Sequence, residues 1–359
     1  MDFTQALKLS PDLFTPLTRT PWAGFDIARR YKRKWVDQAD KTSIGESWEV
    51  SCDPAFPSRI LSNNSLLLDV IRAEPERMLS PAYVQKFGPN CDILIKLINA
   101  AEPLSLQVHP TDDDKSLKAS ECGKPESWLV LNAEPGAGLY LGFSKAIERD
   151  DLAKLLYADG DLKPYLQFVP VKEGDFFEID PGVVHAIGPG VTLLEPQRVR
   201  TGKAGKTYRF WDWSRRYNAD GSLNMKDGKP RELHIEEGLR LIDPTKQVGL
   251  PYVASLRRKA LEVSLGSLAT VFSYPANSNY QVHYFKLKAK AKIRLNAPSG
   301  FLTFVCLKGD GLMNTTLKIG TGEPGFVPYS ALPLSIEAVS DFDIAIVVPP
   351  SCDLSMIQV

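Results

Sequence analysis

No run of apolar residues approaches the roughly 20 needed to cross a bilayer as a helix, which excludes a conventional membrane span. Neither sign of charge is in excess. Lys+Arg number 43 and Asp+Glu 43, so the chain lacks the basic surface of a general phosphate-backbone binder, and no nucleic-acid partner is expected. A local basic pocket for one phosphate stays open. The five cysteines, at 52, 91, 122, 306 and 352, are scattered, odd in number and form no CxxC pair. They supply neither a thiolate metal cluster nor a disulfide framework, and free thiols in a reducing compartment are expected. A nucleotide-binding phosphate loop is also missing: Gly205-Lys206-Thr207 ends like GxxxxGK[ST], but Arg200 stands where the first glycine belongs. The opening Met1-Asp2-Phe3-Thr4 has neither the basic nor the apolar region of a secretory leader, so a cytoplasmic protein is expected.

What is present is β-like. The 359 residues are 43% hydrophobic, enough for a sizeable core and a length that suggests two domains. Short apolar runs separated by Gly and Pro read as strands of a sandwich or barrel. They include Leu66–Ile71, Ile93–Ile98, Ser127–Leu131, Val191–Leu194, Phe301–Leu307 and Ile344–Val348. Helical periodicity is local. Leu152, Leu155 and Leu156 share a face within 145–158, and Ile235, Leu239 and Ile242 share one within 232–242. A third helix is expected over 76–86. Asp243-Pro244 and Leu250-Pro251 predict a boundary near 243–252. The expected organisation is mainly β with inserted helices, split into residues 1–250 and a second β unit over 251–359.

Four histidines occur in the chain, and two of them fall in patterns suited to a metal. In Leu104-Ser105-Leu106-Gln107-Val108-His109-Pro110, strand alternation puts Ser105, Gln107 and His109 on one face. A buried polar row of this kind needs partners, from a metal, a polar ligand or hydrogen bonds within a barrel. In Gly174-Asp175-Phe176-Phe177-Glu178-Ile179-Asp180-Pro181-Gly182-Val183-Val184-His185, a strand runs into a Pro-Gly turn with a histidine behind it. That turn resembles the second motif of the cupins, small jelly-roll barrels. Between the two lies Lys124-Pro125-Glu126-Ser127-Trp128, where a carboxylate opens an apolar run. Two histidines, a carboxylate and an amide suit Zn²⁺, and also Mn²⁺ or Fe²⁺. His234 and His283 lack such surroundings and are read as structural.

In this order and spacing the blocks closely resemble type I mannose-6-phosphate isomerases. Gly45-Glu46-Ser47-Trp48-Glu49-Val50-Ser51, Leu94–Pro110, Tyr208-Arg209-Phe210-Trp211-Asp212-Trp213 and Pro230-Arg231-Glu232-Leu233-His234 carry the likeness, from about residue 20 to 245. The C-terminal third is similar only to a diverged cupin-like domain without metal ligands. The resemblance implies one zinc ion per chain, held by Gln107, His109, Glu126 and His185. It implies a phosphosugar substrate, with Lys124 and Ser105 at the phosphate end. It implies Arg209 at the reacting centre and Glu195, ten residues after His185, in the same cavity. The activity implied is aldose–ketose isomerisation between mannose 6-phosphate and fructose 6-phosphate, with monomer and homodimer both open. Other readings are an isomerase of another phosphosugar, a noncatalytic sugar-binding cupin and an iron oxygenase, the last opposed by the fourth ligand Gln107. One segment departs from the family pattern: Arg198–Thr207 is long and basic. Arg198 and Arg200 are therefore alternatives to Arg209, while a solvated hairpin tip is the plainer reading of the segment.

Overall fold

In the computed structural model, which describes residues 2–359, the chain is mainly β. After a short first strand (β1, Leu7–Lys8) come β2 (Glu46–Val50), three short helices (α1, Leu67–Ala73; α2, Pro75–Leu79; α3, Pro81–Phe87), β3 (Ile93–Ala100), β4 (Leu106–Val108), β5 (Glu121–Cys122), β6 (Glu126–Ala133) and β7 (Gly138–Phe143). Helix α4 (Arg149–Tyr157) precedes β8 (Leu166–Pro170), β9 (Phe176–Ile179), β10 (His185–Ile187), β11 (Val191–Arg198), β12 (Ala204–Gly205) and β13 (Tyr208–Trp211). Two further helices (α5, Ile235–Leu241; α6, Gly249–Leu256) lead to β14 (Arg257–Arg258), β15 (Leu261–Leu265), β16 (Ala269–Ser273), β17 (Gln281–Leu287), β18 (Lys292–Asn296) and β19 (Leu302–Lys308). The chain closes with β20 (Asp310–Met313), β21 (Leu317–Gly320), β22 (Pro324–Val327), β23 (Leu334–Ala338), β24 (Phe342–Val348) and β25 (Ser355–Gln358).

These strands form two sandwiches. In the first, a six-stranded sheet (β14-β9-β6-β11-β3-β2) faces a five-stranded one (β13-β4-β10-β7-β8). In the second, a seven-stranded sheet (β1-β22-β19-β24-β17-β16-β15) faces another five-stranded one (β21-β20-β23-β18-β25). The six-stranded sheet is the shared wall. Its inner residues Ile98, Trp128, Val130, Phe177 and Leu193 pack against Leu139, Leu141 and Ile187 of the opposing sheet. Its outer residues Ile95, Leu97, Leu129, Phe176 and Leu194 pack on α1–α3 and on Tyr274, Tyr280, Val305 and Val347 of the second sandwich. A sheet covered on both faces reads as a continuous apolar run, and β3 is buried along its whole length. Two strands cross over between the sandwiches: β1 pairs with β22, and β14 pairs with β9.

The strand expectations over Ile93–Ile98, Ser127–Leu131, Val191–Leu194, Phe301–Leu307 and Ile344–Val348 fall inside observed strands, save that Phe301 precedes β19 by one residue. Leu66–Ile71 does not: it is the start of α1. Leu67, Val70 and Ile71 stand at i, i+3 and i+4 and bury one helical face, so a short run of five apolar residues around Asp69 did not by itself separate strand from helix. The third helix is two helices, α2 and α3, each with proline in its first turn. Leu250-Pro251 is likewise no break. Pro251 sits in the first turn of α6, where its missing N–H has no helical acceptor to lose.

One fully buried ion pair ties the N-terminal segment to the second sandwich. Lys32 Nζ donates to Glu49 Oε2 at 2.6 Å and to the carbonyl of Gly322 at 2.7 Å, and both side chains are wholly excluded from solvent. Burial lowers the pKa of Lys32 and raises that of Glu49, against the pull of each on the other. Glu49→Ala would strand the ammonium. Urea unfolding of this variant is expected to show a loss of roughly 3–5 kcal/mol. The double variant Lys32→Met/Glu49→Leu is expected to recover most of it, and equal losses in both would show that the pair's charge is not the cause.

Candidate metal centre

Strand register assembles the site. On the five-stranded sheet, Gln107 of β4 is flanked by His185 of β10 and Arg209 of β13, so three polar side chains form one row across neighbouring strands. Their sequence neighbours Leu106, Val108, Val184, Ala186, Tyr208 and Phe210 point outward into an apolar cluster with Phe143, Leu152 and Ile242. On the facing sheet, Glu195 of β11 pairs with Lys96 of β3, and Gln197 pairs with Glu126 of β6. A cavity of about 440 Å³ opens between the two rows, within the range of small-molecule sites. Its lining includes Gln107, Lys124, Glu126, His185, Glu195 and Arg209. His109 is buried beneath it.

His109 and His185 converge on Glu126. Their Nε2 atoms lie 3.2 Å and 3.5 Å from its two carboxylate oxygens, and the three ligand atoms fall within 4.8 Å of one another. Among the described residues no other set of His, Cys, Asp and Glu does so. Each imidazole is fixed from behind: Nδ1 of His109 lies 3.2 Å from the carbonyl of Lys206, and Nδ1 of His185 lies 2.9 Å from that of Val183. A carbonyl only accepts, so both Nδ1 atoms carry the hydrogen and both Nε2 atoms present lone pairs. Burial, and then the charge of Lys124, push the pKa of His109 down to about 3; burial also lowers that of His185. Two neutral imidazole lone pairs thus face a buried carboxylate. Nε2 of His109 makes no hydrogen bond despite its short distance to Glu126. Acceptors with no proton between them call for a cation, and two nitrogens with a carboxylate oxygen suit zinc. Gln107 gives its Nε2 to Ser105 Oγ at 3.0 Å, so Oε1 is the atom it can offer as a fourth ligand.

The turn before His185 is stapled in place. Gly182 has φ +87, a conformation that favours glycine. Its N–H donates to the carbonyl of His109 at 2.9 Å, joining the two histidine segments directly. Gln247 clamps the same turn: Oε1 accepts from Val184 N at 2.8 Å and Nε2 donates to Gly182 O at 2.6 Å. Gln247 lies in the stretch that the sequence marked only as a boundary, and nothing in its local pattern announces the contact.

The remaining expected residues fall as follows. Lys124 Nζ stands 3.4 Å from Glu126 Oε2. Burial opposes its charge, but Glu126, Glu195 and Glu46 outweigh it and raise the pKa. Ser105 does not line the cavity; its Oγ accepts from Gln107 and, at 3.1 Å, from Arg209 Nε. Arg209 also donates from Nη1 to the carbonyl of Glu232 at 3.1 Å. Asp212 is no partner for it, being held by Arg215 and Arg231. Burial and the neighbouring Arg231 bring the pKa of Arg209 down to about 10, so it is cationic at neutral pH. Glu195 accepts from Trp128 Nε1 at 3.0 Å and from Gln197 Nε2 at 2.5 Å. Burial, and then the charge of Glu126, raise its pKa to about 8. Arg198 and Arg200 turn away: both bind Asp112, and Arg200 also binds Asp92. The basic segment is therefore neither free nor a solvated tip. Its two-residue strand β12 pairs with β5, Lys206 binds Glu121, and its Lys206 carbonyl orients His109.

The chain is similar to known proteins. The family model described as phosphomannose isomerase type I, catalytic domain, matches residues 22–139. The mannose-6-phosphate isomerase of Streptococcus mutans is 27% identical over 299 residues, covering 83% of this chain and 84% of that protein. A mannose-6-phosphate isomerase of Bacillus subtilis is 29% identical over 263 residues, covering 72% and 76%. Among solved structures, a Bacillus subtilis mannose 6-phosphate isomerase superposes with TM-score 0.77 at 20% identity, over 96% of this chain and 99% of that one. A zinc-bound mannose 6-phosphate isomerase superposes at 0.68 and 15% identity, over 96% and 100%.

If the three ligands hold a metal, chelation should lower the melting temperature and zinc should restore it. A ligand at 100 times its Kd adds about 2.7 kcal/mol. His109→Ala and His185→Ala should abolish the zinc response. A wild-type melt indifferent to both chelator and zinc would exclude the centre.

Proposed function

We propose, for a chain that belongs to the type I phosphomannose isomerase family, that it interconverts D-mannose 6-phosphate and D-fructose 6-phosphate with one zinc ion bound by Gln107, His109, Glu126 and His185. What carries the reading is one juxtaposition. The buried Glu126, faced by two neutral histidines, shares a cavity with Arg209, Lys124 and Glu195. We assign residues 1–250 as the catalytic unit and 251–359 as a β unit without ligands.

The reaction moves a proton between C1 and C2 of the open-chain sugar. It needs a base, a polarised carbonyl and stabilisation of the enediolate. A bound divalent ion supplies Lewis acidity toward the sugar oxygens. Arg209 holds fixed positive charge against the developing oxyanion. Its Nε and Nη1 are tethered to Ser105 and Glu232, so little reorganisation is required. Glu195 is the proposed proton carrier: it is buried against Trp128 and Gln197, and a pKa near neutrality suits a group that both takes and returns a proton. Lys124, 3.4 Å from Glu126, and Ser105, which supports Gln107 and Arg209, are the proposed substrate-binding residues, at the phosphate end as the family likeness implies.

Purified protein given mannose 6-phosphate should form fructose 6-phosphate in a coupled assay. Activity should vanish on chelation and return with zinc. Arg209→Ala and Glu195→Gln should each lower kcat by about 10²–10³, the usual effect of removing one group that acts on the transition state. Folded, zinc-loaded protein without turnover would overturn this substrate assignment. Wild-type rates in both variants would overturn the assigned roles.

A further inference from the structure

β11 carries a proline in the middle of a sheet interior. Pro196 has no N–H to give to a neighbouring strand. On one side, β11 keeps continuous register with β3, through Glu195↔Lys96 and Pro196↔Ile95. On the other, pairing with β6 runs to Leu194↔Leu129 and resumes only at Gln197↔Glu126. The ladder is open at Glu195-Pro196 on β11 and Ser127-Trp128 on β6.

A side chain from the second sandwich closes the gap. Tyr280, just before β17, is buried, and its hydroxyl donates to the carbonyl of Pro196 at 2.7 Å. It also lies 3.1 Å from Ser127 Oγ on β6. With Tyr280 donating to Pro196, Ser127 is left to donate to Tyr280. The relay thus spans from β6 to β11 where their own pairing fails. The turn that carries Tyr280 is closed by its own side chain–backbone bonds: Asn277 Oδ1 accepts from the backbone N–H of Asn279 and Tyr280 at 2.8 Å and 3.0 Å. On the opposite face of these same strands, Gln197 Nε2 bridges Glu126 and Glu195.

We propose that Tyr280 is a positioning residue for the metal-binding carboxylate: by spanning β6 and β11 from behind, it fixes the spacing of Glu126 and Glu195. Through this contact the C-terminal β unit shapes the metal centre without entering the cavity. The inference rests on reading His109, Glu126 and His185 as a metal site.

The interface supplies its own control. Tyr274, six residues earlier, donates its hydroxyl to Gly174 O at 3.1 Å across the same contact, but at the turn before β9. Tyr280→Phe and Tyr274→Phe each remove one interfacial hydroxyl. Three quantities would be measured: zinc affinity by competition with a chromophoric chelator, kcat and KM for mannose 6-phosphate, and the melting temperature. Tyr280→Phe should weaken zinc binding by about 10-fold, the lower end of outer-shell effects, and lower kcat with KM unchanged. Tyr274→Phe should melt earlier yet bind zinc as wild type. Should Tyr280→Phe fail to fold, Ser127→Ala breaks the same relay and carries the same expectation. Wild-type zinc affinity and kcat in the folded variant would overturn the proposal. Zinc affinity is read without substrate, so failure to turn over mannose 6-phosphate would sink the assigned reaction and leave the Tyr280 comparison standing.

Discussion

A carboxylate inside a protein must be matched on every side, and Glu126 sets the terms for the residues around it. It is only 3% exposed. Burial works to protonate it, yet its pKa lies below the usual range, with the Lys124 ammonium 3.4 Å away pulling it down. No single strand could deliver that environment. β4 and its flank supply His109, β10 supplies His185, the loop before β6 supplies Lys124, and β11 supplies Gln197. The sandwich is thus an arrangement for bringing distant chain segments to one carboxylate, and its register is the means.

Register explains why chemistry and packing do not compete here. Along β11 the inward positions Glu195 and Gln197 are polar, whereas Leu193, two residues before Glu195, belongs to the sandwich core. Along β6, Glu126 is followed on the same face by Trp128 and Val130. Each strand therefore turns from apolar to polar along its length, and the polar ends of both sheets coincide. A slip of one residue would exchange the faces and bury Glu126 in the apolar layer shared with the second sandwich. That layer holds Leu129, Leu194, Tyr280 and Val305 in one cluster, so packing between sandwiches and register of the site are a single constraint.

The sequence made part of this legible. Strand alternation alone placed Gln107 beside His109 and opposite Leu106 and Val108. The glycine turn before His185 was readable from its residues, and the family likeness joined Glu126 to both. What was hidden depends on contacts far apart in the chain. Lys206 serves His109 through its carbonyl, and a carbonyl leaves no trace in residue identity. Gln247 and Tyr280 act at sequence separations of 63 and 84 residues, from segments whose local pattern speaks only of a boundary or a turn. The helix over Leu67–Ala73 was misread because five apolar residues around a single Asp69 are too short a run to separate the two periods.

Charge distribution inside the cavity narrows what can bind there. Of the cationic side chains in its lining, Lys96 is matched by Glu46, Lys124 by Glu126 and Arg231 by Asp212. Arg19 and Arg209 have no carboxylate within ion-pair distance among the described residues. Arg19 lies over Phe56, which stacks on Trp48, and Trp48 carries Lys96 on its ring. Arg209 is fixed to neutral oxygens only. Two guanidinium groups of the lining, those of Arg19 and Arg209, are thus left without an ion-pair partner, although Asp53, Glu195 and Glu232 also stand in it. Those two guanidinium groups are the ones the protein's own carboxylates leave available to an anionic group on a ligand, and the proposed phosphosugar carries such a group.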